Sequence, residues 1–360
     1  MPAGGTLPGG LRPDTRLAAQ VLHPVRYPAL YEVPVLDVGN RTITFAAHPD
    51  AEQDGVYGIV ARAGYGQTSR VLRCTREAVV RNLVRRDGDL HAGEGVTVSV
   101  YGFVLNPRHA HGLPYEDVVV DGPLGAMPAW LLPGGDRWAL VVHGRGSSRS
   151  EALRILPALH AAGLTALVTT YRNDEDAPPS SDGRYHLGAT EWEDVAAAAR
   201  FALAAGAREL VLVGLSMGGL LALRFARLAP EGDAVVGAVL DSPLLDWHAT
   251  LAATARRRRI PAPLTMLVLR QLERQIDVSL DDLDETRHAR ALRIPALVFH
   301  GSADATVPVA TSRRLRAARP DRVTLVELPG VGHVRAWNHD PIAYSGAVVR
   351  FLARLGNSPS

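Results

Sequence analysis

Not one lysine occurs among the 360 residues, so all 39 basic side chains are arginine. That absence excludes a lysine Schiff base, a P-loop lysine and a Ser-Lys dyad. Cysteine is nearly absent too. The single Cys74 forbids an intrachain disulfide, fits a reducing compartment, and reads as a small packing residue rather than a nucleophile. An excess of one charge sign is also missing, since the formal net charge is only +2 and the one compact basic tract is Arg256 to Arg259. Nucleic acid is therefore not an expected partner, and the arginine run reads as a solvated face, with docking of an anionic substrate or lipid surface as the lesser alternative. No apolar run approaches the ~18 to 20 residues of a membrane span, and MPAGGTLPGGLRPDTRLAAQ at the start contains no apolar h-region. Cytoplasmic residence is the expectation. The pair His109 and His111 lacks a carboxylate or cysteine at ligand spacing, so a surface loop and no metal is expected there.

What is present describes a folded protein. Hydrophobic residues at 47% and charged residues at 21% are ordinary globular usage, and the length suits one large domain or two smaller ones. Residues 1–25, rich in Gly and Pro, read as a loose arm. From 26 to about 115 the chain carries short β-type runs separated by turn formers: RTITFAAH, GVYGIVARA, QTSRVLR and VTVSVYGFV. A small, mostly β accessory domain is expected there.

From about 116 onward strands alternate with helices, which implies a mainly parallel sheet. YEDVVVDG and MPAWLLPG read as an entry hairpin, and WALVVHG, LTALVTTYR, ELVLVG, AVVGAVLDS, IPALVFHG and RVTLVELPG as the following strands. Ser148 with Glu151 and Thr190 with Glu193 have capping-box spacing at two helix starts. A last helix covers about 340 to 355. Between the strand ending near Asp241 and the one starting at Ile294 lie about fifty helical residues, more than an ordinary connection needs, so a helical cap is expected at about 247–293.

The chemistry gathers at strand ends. Gly214-Leu215-Ser216-Met217-Gly218 fits G-x-S-x-G, with an apolar strand before it and a helical run after it. A serine on so sharp a turn needs small neighbours where the backbone closes on itself. A serine hydroxyl also needs a base to take its proton, and the base needs an acid to fix its tautomer. His333, in LPGVGH, and Asp304, in HGSADATVP, each follow an apolar strand; Asp241 in VLDSP is the rival acid. His143 and His300, each before a glycine, read as loop-ordering groups, and Arg172, Asn173, Glu191 and Asp194 as a structural polar cluster.

These residues resemble the α/β-hydrolase superfamily. The resemblance rests on GLSMG, on HGRGSSR at 143–149, on GSADATVP at 301–308 and on GVGH at 330–333, in that order. It covers residues 116–360 and not the segment before them. It implies an α/β-hydrolase fold with Ser216 as nucleophile, His333 as base and Asp304, by its position, as the acid. It further implies an oxyanion hole from the backbone amides of Met217 and Arg145. Trp337 and Leu215 are candidate pocket residues.

The expected function is a serine hydrolase that cleaves a carboxylic ester, or related acyl bond, in a small acyl substrate or short peptide, with no cofactor. Prolyl-oligopeptidase-like and aminopeptidase-like peptidases share the motifs, but the first ~115 residues are too few for a propeller of several ~40 to 50 residue blades. Acyl transfer, or ligand binding without catalysis on the same fold, are the other readings.

Overall fold

A computed structural model describes residues 21–24 and 30–356 of the chain. Two β-systems lie side by side. The first is a closed antiparallel barrel of β1 (Val33–Val38), β2 (Thr42–Ala46), β3 (Tyr57–Val60), β4 (Gly64–Cys74), β5 (Ala78–Gly88) and β6 (Gly95–Ser99), in the order β1-β2-β5-β4-β3-β6. Its strands alternate: Val33, Val35, Ile43, Phe45, Ile59, Val79 and Val96 fill the interior, and their neighbours face outward. Two of the six strands, β1 and β5, are absent from the runs read in the sequence. Both carry charged residues on the outward face, so neither forms a long apolar run.

The second system is an eight-stranded sheet, β14-β13-β12-β11-β9-β10-β8-β7. Its strands are β7 (Glu116–Gly122), β8 (Gly125–Leu132), β9 (Arg137–Val142), β10 (Thr165–Thr169), β11 (Glu209–Leu215), β12 (Val235–Asp241), β13 (Ala296–Gly301) and β14 (Val323–Leu328). β7 and β8 form the expected hairpin, β8 runs antiparallel to β10, and the rest are parallel. Helices cover both faces, so the central strands are buried along nearly their whole length and read as continuous apolar runs. Numbering α-helices of six residues or more, these are α1 (Leu156–Ala161), α2 (Trp192–Ala204), α3 (Met217–Leu228), α4 (Trp247–Arg257), α5 (Ala262–Ile276), α6 (Val309–Ala318) and α7 (Pro341–Leu355).

α4 and α5 make the inserted cap. Asp246 caps α4 by accepting from the Ala249 N–H at 2.9 Å, and the Trp247 indole donates to the Leu187 carbonyl at 2.7 Å. The second of these bonds ties the start of the cap to the sheet domain.

Several local expectations are corrected. Ser148 does cap the turn that follows, accepting from the Ser150 N–H, but Glu151 does not return to close the box; its carboxylate holds the Gly144 N–H at 2.8 Å. Glu193 likewise serves Arg172 rather than a helix cap. Cys74 is exposed, not buried, at the end of β4. The loose arm lies mostly outside the described residues; within it, Leu22 is fully buried in the core of the sheet domain and its carbonyl accepts from the Tyr185 N–H at 2.7 Å.

Barrel and sheet domain are joined through the turn Ala336–His339. The fully buried Asn338 amide donates to the carbonyls of Val56 (2.6 Å) and Val100 (2.8 Å), while its oxygen accepts from Arg154 at 3.1 Å. Gly55 and Gly102 are required here. A Cβ on Gly55 would stand 2.3 Å from the Asn338 carbonyl oxygen, and one on Gly102 2.8 Å from the Trp337 ring.

Candidate active site

The turn from β11 into α3 puts Ser216 at φ 52 and ψ −118, a conformation that L-residues rarely adopt. Its surroundings leave no room for side chains. A Cβ on Gly214 would lie 2.5 Å from Gly219 Cα, and one on Gly218 2.1 Å from the Val142 carbonyl oxygen. The Ser216 N–H donates to the Asp241 carbonyl at 2.9 Å, and its own carbonyl accepts from Gly219 and Leu244. The strained residue is held by the strand beside it and by the helix it opens.

His333 is delivered by the loop after β14 and Asp304 by the loop after β13. His333 Nε2 lies 2.9 Å from Ser216 Oγ, and His333 Nδ1 lies 2.7 Å from Asp304 Oδ2. A carboxylate accepts only, so Nδ1 carries the proton and Nε2 is left to accept from the serine hydroxyl. The other Asp304 oxygen accepts from the N–H groups of Thr306 and Val307, both at 2.8 Å. Burial opposes ionisation of Asp304, yet the hydrogen bonds from His300 and His333 and the backbone hold its carboxyl well below the ordinary range. His300 supports it from behind: Nε2 donates to the Val307 carbonyl at 3.1 Å and sits 3.3 Å from Asp304 Oδ2, while Nδ1 meets the Ser312 hydroxyl at 2.8 Å.

The rival acid is used elsewhere. Asp241 is fully enclosed, and burial pushes its carboxyl up to about 6. Its neighbour Ser242 donates to it at 3.2 Å and accepts from the Val334 N–H at 3.0 Å, which ties the end of β12 to the histidine loop.

Beside Ser216 runs the loop His143-Gly144-Arg145-Gly146. Gly144 packs so closely that an added Cβ would lie 3.1 Å from Ser216 Cβ. Among the described residues, neither the Arg145 nor the Met217 backbone N–H has a protein acceptor. Both residues border the same cavity as Ser216.

The model of the alpha/beta hydrolase family matches residues 139–347. The chain belongs to the alpha/beta hydrolase family. Residues 34–99, within the barrel, match a separate model described as a domain of unknown function. Esterase LipC of Mycobacterium tuberculosis H37Rv is 31% identical over 237 residues, which cover 59% of this chain and 54% of LipC. An uncharacterized protein of the same strain is 28% identical over 247 residues, 65% of this chain and 76% of its own length. Among solved structures, the esterase Pf2001 of Pyrococcus furiosus superimposes with a TM-score of 0.57 at 19% identity, over 70% of this chain and 96% of its own. A membrane phospholipase A described as a bacterial virulence factor gives 0.51 at 22% identity, over 70% and 89%. At such identities the structural matches establish the fold alone.

In this alpha/beta hydrolase a cavity of about 870 Å³ opens over Ser216 and His333. Its walls come from three places. The sheet domain contributes Gly144 to Ser147, Met217, Leu244 and Val334; the cap contributes Trp247, Leu251 and Leu269; the barrel contributes its outward face, including Val60 and Thr97, with Tyr101 just beyond β6. Val60 and Thr97 are cross-strand partners on β3 and β6, and Ile59 and Val96 beside them point into the barrel. The Tyr101 hydroxyl lies 2.8 Å from Ser147 Oγ, so the barrel touches the loop beside the serine. Arg257 and Arg258 of the basic run border the cap side.

Two expected pocket residues are corrected. Leu215 faces the inner packing of the sheet, because the residue before Ser216 on β11 points away from the cavity. Trp337 packs on Phe103, with ring centroids 5.3 Å apart, and under Gly102, where it joins barrel to sheet instead of lining the cavity. The polar cluster is structural. Arg172 grips Asp194 with two hydrogen bonds of 2.8 and 2.9 Å, and Glu191 accepts from the N–H groups of His186 and Gly188. His111 donates to the Leu153 carbonyl at 2.7 Å, and no group of three or more potential metal ligands occurs among the described residues. No helix among them is long and apolar enough to cross a membrane.

The barrel wall agrees with an N-terminal domain that shapes substrate access, whereas the support from Glu151, Tyr171, Asp174 and His300 is not legible in the sequence. The sequence marks His300 as a loop-ordering group and Glu151 as a capping-box residue, and nothing local to Tyr171 or Asp174 carries a sign of what they touch.

Proposed function

We propose that the protein hydrolyses carboxylic esters through an acyl-enzyme on Ser216. The observation that carries the reading is the continuous hydrogen-bonded line from Ser216 Oγ through His333 to Asp304 at the floor of the cavity. His333 Nε2 takes the hydroxyl proton as Ser216 Oγ attacks the carbonyl carbon. The oxyanion is received by the N–H groups of Met217 and Arg145, each such donor being worth about 2.7–4 kcal/mol. His333 then protonates the leaving alcohol, the acyl-enzyme remains, and water repeats the cycle. Asp304, held ionised, keeps Nδ1 protonated and stabilises the imidazolium. No cofactor enters these steps.

Two features favour an ester over a peptide. A small barrel stands where oligopeptidases carry a propeller, and a relative alike over 237 residues is named an esterase. The walls, mostly apolar on both the cap and the barrel, suit an acyl chain. The single cysteine suits cytoplasmic residence. A fluorophosphonate probe is expected to label the protein and to leave Ser216→Ala unlabelled. A panel of p-nitrophenyl esters of graded length, run beside aminoacyl amides, is expected to show ester turnover in excess; amide turnover of equal rate would move the assignment to a peptidase, and a faster reaction with added alcohol than with water would move it to an acyltransferase. Absence of labelling in folded wild-type protein would leave a binding protein.

A further inference from the structure

We infer that His143, as a buried imidazolium paired with Asp174, and Tyr171 are positioning residues that aim the Arg145 N–H at the oxyanion. The inference rests on the acyl-transfer reading above. It begins with one carbonyl. Gly144 O accepts from His143 Nδ1 at 2.9 Å, from the Tyr171 hydroxyl at 2.9 Å and from the Ser147 N–H at 3.1 Å. The Gly144 N–H is held as well, by Glu151 Oε2 at 2.8 Å. Both peptide units of Gly144 are therefore fixed.

The link to catalysis is the geometry of the peptide bond. No cis peptide occurs among the described residues, so in the unit joining Gly144 to Arg145 the C=O and the N–H point in opposite directions. Three donors draw the carbonyl into the protein, and the Arg145 N–H is turned the other way, where it finds no protein acceptor among the described residues and borders the cavity. A donor fixed before the reaction costs no reorganisation when the oxyanion forms.

The protonation state follows from the partners. His143 Nδ1 faces a carbonyl, which accepts only, and Nε2 faces Asp174 Oδ2 at 2.9 Å, an oxygen that already accepts from the Tyr171 N–H at 2.9 Å. Both ring nitrogens donate, so the ring is cationic. It has no exposed surface and stacks on Tyr171 with centroids 4.7 Å apart. Burial opposes the cation, and the charge and hydrogen bond of Asp174 outweigh it, raising the imidazole above its ordinary value. The titratable and charged groups around it are Asp174 from the loop after β10, Glu151 from the turn before α1, Tyr171 and Tyr185, with Glu191 behind the two tyrosines and the Arg145 guanidinium over the Tyr185 ring. The second oxygen of Asp174 is buried without a protein partner, so the ring is the main compensation for that carboxylate.

A neutral His143 would surrender one of its two hydrogen bonds, and the carbonyl would lose a fixed donor. The expected consequence is a kcat that falls with rising pH above the ordinary imidazole range, as the raised pKa of His143 is passed. Tyr171→Phe, which removes one donor and little volume, is expected to lower kcat about 10-fold, and His143→Gln about 100-fold, both with KM nearly unchanged, since a full oxyanion donor is worth ~10²–10³ in kcat. Asp174→Asn removes the paired charge and is expected to move the alkaline limb of the kcat profile down by about one pH unit or more. Rates are taken per active site titrated with the fluorophosphonate, so that unfolded protein does not count. A merely structural role would lower the melting temperature and leave kcat per site and the limb in place. Tyr171→Phe with kcat within twofold of wild type, or an Asp174→Asn profile superimposed on wild type, overturns the inference alone. Wild-type protein that takes no label overturns the acyl-transfer reading and the inference with it.

Discussion

The barrel and the eight-stranded sheet border one cavity and contribute to it in opposite ways. Every group to which the proposed reaction assigns a proton or the acyl chain stands at the end of a sheet strand: Ser216 after β11, Asp304 after β13, His333 after β14. The barrel brings no such group. It presents an outward face, with Val60, Thr97 and Tyr101 toward the cavity. Parallel strands covered on both faces hold their ends rigidly, and loops at those ends can be aimed; a closed barrel with its own core offers a wall whose shape changes without disturbing that aim. On the proposed reaction, the molecule separates chemistry from shape.

The most direct way to break this division is to look for chemistry without the sheet residues. Ser216→Ala and His333→Ala are each expected to lower kcat ~10⁴-fold or more on a short p-nitrophenyl ester, with the barrel untouched. Residual turnover near wild type in either would place the nucleophile or the base elsewhere.

The reverse experiment damages the barrel. Arg81 is fully buried with no carboxylate partner among the described residues; its guanidinium donates to Thr68 Oγ1 and to the carbonyls of Ala51, Gln53, Gly55 and Ser69, and burial pulls its pKa down to about 10. Arg81→Met strands several of these acceptors and is expected to cost about 3–5 kcal/mol, read by denaturant unfolding. The folded fraction should retain kcat on a short ester. A loss of kcat per titrated site as large as that of His333→Ala would show that the barrel takes part in the chemistry.

A third test concerns a carboxylate the sheet domain tolerates. The raised Asp241 binds its proton more tightly folded than unfolded, so its charged form costs stability above about pH 6, and the cost vanishes below about pH 4, where both states are protonated. Asp241→Asn is therefore expected to stabilise the protein at pH 8, by roughly 3 kcal/mol at most, with the gain shrinking as pH falls from 6 to 4. Melting curves across that range check the sign; a gain that grows on acidification contradicts it.

The smallest effect tests the wall. Val60→Trp is expected to reduce kcat/KM for long p-nitrophenyl esters about 10-fold relative to short ones, because Val60 faces the cavity and not the barrel core. Equal effects on all chain lengths would remove the barrel from substrate selection.

The two regions also differ in how legible they were. The six sheet strands from WALVVHG to RVTLVELPG carry long apolar runs, because all but the edge strand β14 are covered on both faces, and the structure has all of them within three residues at either end. Helix α6, between two of them, went unread: TSRRLRAA is polar over most of its length and only Thr311, Ser312 and Leu315 are buried. In the barrel the half-exposed β5, AVVRNLVRRDG, hid behind its arginines, and one of those, Arg81, is a fully buried member of the interior. A side chain that finds five partners up to 30 residues away leaves no local trace. Trp337 shows the converse, since an aromatic four residues from His333 suggested a pocket wall and instead joins two domains.

What the sequence by itself determined was the order of the parts: an apolar strand, a glycine-flanked serine, then an acid and a histidine each after a strand. That order follows from short-range necessity, because a tight turn demands small residues and a buried strand demands apolar ones. Only the tertiary structure decided which acid meets His333, which way the Gly144–Arg145 peptide faces, and what closes the cavity above Ser216. Those depend on groups 29 to 117 residues apart in the chain meeting within 3 Å, and hydrogen-bond geometry at that range is set by packing, not by neighbours in sequence.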